Sequence, residues 1–347
     1  MTEPVTLRPR IVAGVKRHHL VPQMVLRRFA NSAGRIVMVS RDDPSRAPIT
    51  TSIKNAAAEA GFYRIDTNDV AESHQSGHDP EVVEQTLAAI EGLVRPLLDN
   101  LARGRLPLFE ERYRIAQFLA LQHVRGPGFR EDMNRLGTLA ARDHLRQTMT
   151  AERAAAYLRQ QGLAAGPADA QAFLDSALGE TGPTLVMSQP HAMQAALRHA
   201  VEVVQPLVYF RAWHVLRFPD PVLLTSDTPV AVWSPPAPDG LPVGIANAAE
   251  VYLPVDRQTV LVVTDEHIDA APDQVVDDPA PERAARVNAA VAANAHRWVF
   301  HHPNDTPLAK ITLPSPSKWE RESHSVASEP GGRLRVRGIT VKRPRTG

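Results

Sequence analysis

Val208-Tyr209-Phe210-Arg211-Ala212-Trp213-His214-Val215-Leu216 marks a change in the character of the chain. β-Branched and aromatic residues crowd this stretch, and such residues favour the pleated, half-buried surface of a strand. The same signature recurs in Val222-Leu223-Leu224-Thr225, Val230-Ala231-Val232-Trp233, Glu250-Val251-Tyr252-Leu253 and Val260-Leu261-Val262-Val263. Turn-forming residues separate these runs, which favours antiparallel pairing. A helix over 281–296 and a strand, Arg297-Trp298-Val299-Phe300, follow.

Upstream, the apolar period is helical. Val83, Leu87, Ile90, Leu93, Val94 and Leu97 recur at helical spacing behind Asp79-Pro80, a cap followed by a proline at the first helical position. Pro96 is expected to end or kink this helix. A second helix runs from about Leu108 to Arg125, with Ile115, Phe118, Leu119 and Gln122 on its inward stripe, and Gly126-Pro127-Gly128 breaks it. Helices are also expected over 129–149, 151–161, 167–179 and 189–206. The fold class is therefore α+β: a central helical bundle (80–206) packed against a mostly antiparallel β-sheet from the C-terminal third (207–305).

Near the amino terminus, a short helix follows Pro22. Arg35-Ile36-Val37-Met38-Val39-Ser40 reads as a strand, and 52–60 as a second short helix. Residues 1–15 form a polar arm and 16–312 one α+β domain. Residues 313–347, rich in Ser, Pro, Arg and Gly, are expected to be a largely disordered tail.

Composition narrows the function. Of 347 residues, 39 are Lys or Arg and 38 Asp or Glu, so no global charge draws the chain to nucleic acid or an anionic membrane. There is no cysteine, which excludes disulfides, thiolate metal sites and cysteine nucleophiles. No apolar run approaches the ~20 residues of a membrane span, and Met1-Thr2-Glu3-Pro4 lacks a signal-peptide pattern. A cytoplasmic, membrane-free protein of unspecified oligomeric state is expected. Gly-rich phosphate loops, dinucleotide fingerprints and His-Glu-x-x-His helices are absent from the sequence, so no nucleotide cofactor motif is present.

Three segments carry candidate chemistry. His18-His19 stands behind Lys16-Arg17 and just before Pro22. Imidazole binds metals or moves protons near neutral pH; the structural alternative is a ring satisfied by backbone at a helix entrance. Gln122 ends an apolar stripe, where an unpaired buried amide costs ~1–3 kcal/mol. Arg125, one turn on, offers a planar fork to a carboxylate or phosphate; the alternative is a bond that locks two helices. Ser226-Asp227-Thr228-Pro229 follows a buried strand, so Asp227 is a candidate metal ligand or base, or the start of an Asx turn. Glu84 and Glu91 share a helix face, and Gly92 beside Glu91 would let a neighbouring element approach closely. His214, Asn288 and Asn294 read as members of structural polar networks, and His74, His78, His301 and His302 show no convergent spacing.

Lys16-Arg17-His18-His19-Leu20-Val21-Pro22 through Phe29, Ile115 through Arg125, and Leu224-Thr225-Ser226-Asp227-Thr228-Pro229-Val230 together resemble the motifs of a bacterial family known only as domain of unknown function 4238, in order and spacing, over about residues 16–305. In that family an Asn commonly stands where this chain has Thr228. The resemblance brings no activity; it implies that His18, His19, Gln122, Arg125, Ser226 and Asp227 act together. His18-His19-x-x-Pro22 is also similar to the entry of HNH nucleases, but Pro22 leads straight into an apolar helix, and Asn55 is the only nearby candidate for the later Asn of that pattern.

The leading expectation is a divalent-metal-dependent hydrolase acting on a phosphodiester. Its catalytic set is His18, His19, Asp227 and Arg125, and its metal ligands are His18, His19, Glu91 and Asp227. The first alternative is a non-catalytic sensor that grips an anionic small molecule through Arg125, Gln122 and Ser226. The second is a peptide- or amide-modifying enzyme that uses the His pair as acid and base.

Overall fold

A computed structural model describes residues 17–41, 43–60, 62, 82–179, 184–187, 189–235, 243–266, 272–309 and 311–313, with four paired strands between 317 and 344. The amino-terminal arm, His74, His78 and Asp79-Pro80 lie outside the described residues. The chain runs β1 (Arg17–His19), a single turn α1 (Gln23–Leu26) continued by a 3-10 turn to Phe29, β2 (Arg35–Ser40), β3 (Ile49–Ser52) and β4 (Ala58–Ala60). Six helices follow: α2 (Val82–Ala102), α3 (Phe109–Val124), α4 (Pro127–Thr148), α5 (Ala151–Gln160), α6 (Pro167–Leu178) and α7 (Gln189–Tyr209). Next come β5 (Trp213–Arg217), β6 (Thr225–Ser226), β7 (Ala231–Trp233), β8 (Glu250–Pro254), β9 (Thr259–Thr264), β10 (Gln274–Asp277), α8 (Pro281–Asn294) and β11 (Trp298–His301). The last strands are β12 (Ser317–Arg321), β13 (Ser325–Glu329), β14 (Arg333–Arg337) and β15 (Thr340–Pro344).

The architecture is α+β. A five-stranded sheet has the order β10-β5-β9-β8-β7, and a four-stranded sheet the order β3-β2-β11-β6. The second sheet sets β2, from the start of the chain, between β3 and β11, so the amino-terminal segment is built into the body. α3 packs between α2 and α7, with Ile115, Ala116, Phe118 and Leu119 buried.

Several elements depart from the sequence reading. Residues 52–60 are not helical: a turn at 53–57, with Ala57 at φ 46°, leads into β4, which pairs with β1. A segment this short gains little from helix hydrogen bonds against the cost of nucleation, and β1 offers it a ladder. α2 continues through Pro96. Pro96 and Gly92 lie on the solvent side, so water can satisfy the carbonyl that the proline leaves unpaired, while Val94, Leu97, Leu98 and Leu101 hold the helix to the core. Gly92 admits no neighbour, since a Cβ there would meet nothing within 4 Å. The stretch 208–216 divides between the last turn of α7 and β5. β10, unrecognised in the sequence, pairs parallel to β5 and makes the sheet mixed. Strands also occupy much of 317–344, where disorder was expected.

One ion pair, buried on its arginine side and partly exposed on its aspartate side, joins bundle to sheet. The Arg112 guanidinium of α3 donates from Nη2 to Asp273 Oδ1 at 2.5 Å and lies 5.2 Å from the centre of the Trp213 ring. Asp273 Oδ1 also accepts from the Trp213 backbone N–H at 2.8 Å. Burial pulls the Arg112 pKa down, and the Asp273 charge opposes that shift. Breaking a buried pair on one side leaves an uncompensated charge. Asp273→Ala should therefore destabilise the fold by about 3 kcal/mol in urea titration, and adding Arg112→Met should recover part of that loss.

Candidate functional site

The His pair lies in β1, with His18 opposite Glu59 and His19 opposite Ala58 of β4. Strand alternation sends the two imidazoles to opposite faces. His18 is wholly buried, and His19 Nε2 lies 3.3 Å from the Lys54 carbonyl oxygen. Pro22 is the N-cap of α1, and its carbonyl accepts from the Val25 and Leu26 N–H groups.

Arg125 terminates α3 and brings the first two motifs together. Its Nη2 donates to the His19 carbonyl oxygen at 2.6 Å, and its Nη1 donates to Glu91 Oε1 at 2.8 Å. One rigid fork thus ties β1 to α2 from a nearly buried position. The motif contact runs through the backbone of His19, not its ring. Gln122 is buried, and its Oε1 has no hydrogen-bond partner among the described residues. Among the described residues the Thr225 hydroxyl likewise has no hydrogen-bond partner.

The third motif is used differently from its expected role. The Asp227 carboxylate accepts three backbone N–H bonds: Oδ1 from His296 at 2.8 Å, and Oδ2 from Arg297 at 2.7 Å and Trp298 at 2.9 Å. It organises the turn from α8 into β11. Burial pushes the Asp227 carboxyl up, while the N–H donors and the His296 ring pull it back. The Ser226 hydroxyl closes a local turn on Thr228, donating to its carbonyl at 2.7 Å and accepting from its N–H at 3.1 Å. Asn288 holds the preceding segment through the Leu224 N–H and the Val222 carbonyl, and Asn294 Nδ2 donates to the Val232 carbonyl.

These engagements do not assemble the expected metal site among the described residues. Glu91 faces Arg125, Asp227 faces backbone N–H groups, and among the described residues no group of three or more His, Asp or Glu side chains is placed to hold a metal ion. His18, His19, Glu91 and Asp227 do not form the ligand set that the sequence suggested.

What converges instead is the corner between α3 and α4. Gly126 is the N-cap of α4 and Pro127 its first residue. A Cβ at Gly126 would come 4.0 Å from the Thr228 hydroxyl, and one at Gly128 would come 3.4 Å from His296 Nδ1. The helix start thus sits beside the Ser226–Thr228 turn and beside His296, at distances where a Cβ would make ordinary contact; His296 Nε2 is 3.6 Å from Glu131 Oε1. The first turn of α4 carries no acidic residue and no side-chain cap, so its N–H groups and dipole favour an anion.

An open cleft adjoins this corner, lined by Arg125, Gly126, Phe129, Arg130 and Met193, with Phe62 at its edge. Arg130 places its guanidinium 4.0 Å from the Phe62 ring centre and donates to the Phe62 carbonyl at 3.2 Å. Phe129 stacks on His199 at 5.8 Å between ring centres. A second cleft, lined by Arg217, Asp256, Gln258, Thr259, Asp277 and Asp278, holds none of the motif residues. Sequence reasoning missed Phe62, Arg130 and His296. Arg130 and Phe62 carry no spacing signal, and His296 becomes visible only through the N–H that it gives to Asp227.

Two measurements test these assignments. Asp227→Asn turns an amide toward N–H donors and should cost about 2 kcal/mol in urea titration. His123, beside Gln122, has a buried Nδ1 with no hydrogen-bond partner among the described residues, and burial, reinforced by the His199 charge, lowers its pKa to about 4. The unfolded chain therefore binds a proton more readily than the folded one. The contribution of a neutral His123 is complete above pH ~6.5 and fades as the pH falls toward ~4, by roughly 2–3 kcal/mol. His123→Leu should flatten stability across that window.

Among the described residues, no helix is long and apolar enough to cross a membrane. No curated protein and no solved structure matches the chain. A family model matches residues 17–305, a span that contains all three motifs and the corner they build. The chain belongs to the family described as protein of unknown function (DUF4238).

Proposed function

We propose that the chain binds an anionic small molecule with an apolar body at the α3–α4 corner. The observation that carries this reading is the union, in one cleft, of two guanidinium groups, an uncapped helix start and an aromatic wall. Arg125 is fixed by Glu91 and the His19 carbonyl, so it costs little further entropy to present it. Arg130 sits 4.0 Å from the Phe62 ring centre and offers a second cation. The α4 N-terminus adds N–H donors at Gly128 and Phe129, which a phosphate or carboxylate accepts. Phe62, Phe129 and Met193 are the apolar neighbours of the rest of the ligand, which lies at the open side of the cleft.

Within this reading, the Asp227 turn is scaffold. It holds His296 and Thr228 against the glycine corner and contributes through position. Of the three ligand residues that the sequence suggested, Arg125 lines the cleft, whereas Gln122 and Ser226 do not. The reading needs no metal.

Calorimetric titration with naphthyl phosphate, naphthoate and neutral naphthamide tests the proposal. Both anions should bind and the amide should not. Arg130→Ala removes one charge-assisted contact and should weaken binding about tenfold. Met193→Trp fills the cleft and should abolish binding without unfolding the protein. Equal binding of the amide, or anion binding unchanged in both variants, would overturn the proposal.

A further inference from the structure

α3 opens with Phe109-Glu110-Glu111-Arg112-Tyr113-Arg114, and its apolar residues do not all turn inward. Phe109 and Tyr113 stand one turn apart and share a helix face. That face meets water. Together with Leu108, the N-cap of α3, and with Tyr209 and Phe210 where α7 ends, these side chains are between 45% and 59% exposed. The five form one patch. α3 and α7 run antiparallel, so the start of one lies beside the end of the other, and the Phe109 and Tyr209 rings meet edge-on at 5.5 Å between centres. Tyr209 and Phe210 follow at 6.5 Å.

The backbone under the patch is fixed. Glu111 Oε2 accepts from the Leu108 N–H at 2.8 Å at the start of α3, and the Phe210 N–H donates to the Pro206 carbonyl at 3.3 Å at the end of α7. Ile115, Phe118 and Leu119 hold the opposite side of α3 in the core. Core packing requires that buried stripe. It does not require four aromatic rings set in water around Leu108.

Two opposite charges border the aromatic face. Glu110 and Arg114 are exposed and one turn apart, in the order that favours an ion pair within a helix. They do not pair with each other, and among the described residues neither side chain has a hydrogen-bond or ion-pair partner.

We propose that this face is a homodimer interface, in which the start of α3 and the end of α7 pack on the same elements of a second copy about a two-fold axis. The area fits that occupant. At roughly 200 Å² for each large side chain, the exposed half of the five offers about 500 Å². Two copies together would remove about 1,000 Å² of apolar surface from water, and a polar rim brings this into the ~1,200–2,000 Å² range of stable interfaces. Aromatic residues are enriched in the cores of such interfaces. The charges are self-complementary as well. An axis passing near Glu111 and Arg112 runs the two α3 helices antiparallel, which sets Phe109 of one copy beside Tyr113 of the other and Glu110 beside Arg114. Each pairing then occurs twice, and the ion pairs fix the register more than the affinity. An anionic lipid surface suits a basic polar border instead, and Glu110 stands against it. Eleven residue steps of α3, about 16 Å, separate Tyr113 from Val124 at the cleft. The dimer leaves the cleft open, and the inference is independent of the ligand reading.

Sedimentation equilibrium of the full chain from ~1 to ~100 μM tests it. A species of twice the chain mass should grow in with concentration, and F109A/Y209A should weaken it at least tenfold. Glu110 and Arg114 are exposed, so reversing either one leaves the fold intact. E110R and R114E each place like charges opposite one another and should each weaken self-association about tenfold at ~50 mM salt. E110R/R114E should regain it. An equimolar mixture of the two single variants should form a heterodimer tighter than either homodimer. A chain that stays monomeric at ~100 μM would overturn the proposal and leave the face to a different protein. So would a dimer indifferent to F109A/Y209A, or losses in E110R and R114E that neither the double variant nor the mixture recovers. A monomer that binds phosphatidylcholine vesicles through Phe109 and Tyr209 would assign the face to a membrane and overturn it as well.

Discussion

The Arg125 guanidinium is the joint on which the candidate site depends. Its cation is almost removed from water, a state that is tolerable only with an opposite charge and filled donors. Glu91 supplies the charge from α2, and the His19 carbonyl fills a second donor from β1. Three parts of the chain far apart in sequence are thereby held at fixed distance, and the end of α3 cannot shift without stranding the cation. The entry of α4 follows at the next residue, so the same contact fixes where its N-terminus points.

A second constraint acts from the other side of the corner. Asp227 gathers three consecutive backbone N–H groups at the entry to β11, and β11 pairs with both β6 and β2. The carboxylate therefore joins the end of α8 to the sheet that carries the amino-terminal strands. The two constraints meet at residues 126 and 128, where Thr228 and His296 lie beside the start of α4. The ligand reading grows out of this convergence: rigid cations, exposed N–H groups and aromatic surface, built on elements that packing already fixes.

Much of this was legible in the sequence, and the reasons for the rest are physical. The stripe Ile115–Phe118–Leu119 and the β-branched runs of β2, β8 and β9 have one dominant period each, and they fold as that period demands. That the His18-His19 and Gln122–Arg125 segments meet was also readable, from the family resemblance, and Arg125 joins them through the His19 carbonyl. What each residue does was not. An aspartate that binds metal and one that collects backbone N–H groups look alike until the backbone is placed. The helix through Pro96 depended on which side met water. β10 is short, exposed at both ends and flanked by Asp, so only its parallel neighbour β5 identifies it as a strand.

The most direct test of the central claim is anomalous diffraction from crystals soaked with a bromonaphthyl phosphate. The account predicts a bromine peak between Phe62 and Met193, with the phosphate against Gly126 and Arg130 at the start of α4. A peak in the cleft of Arg217 and Asp256, or a phosphate seated on the His18 or Asp227 side chain, would contradict it.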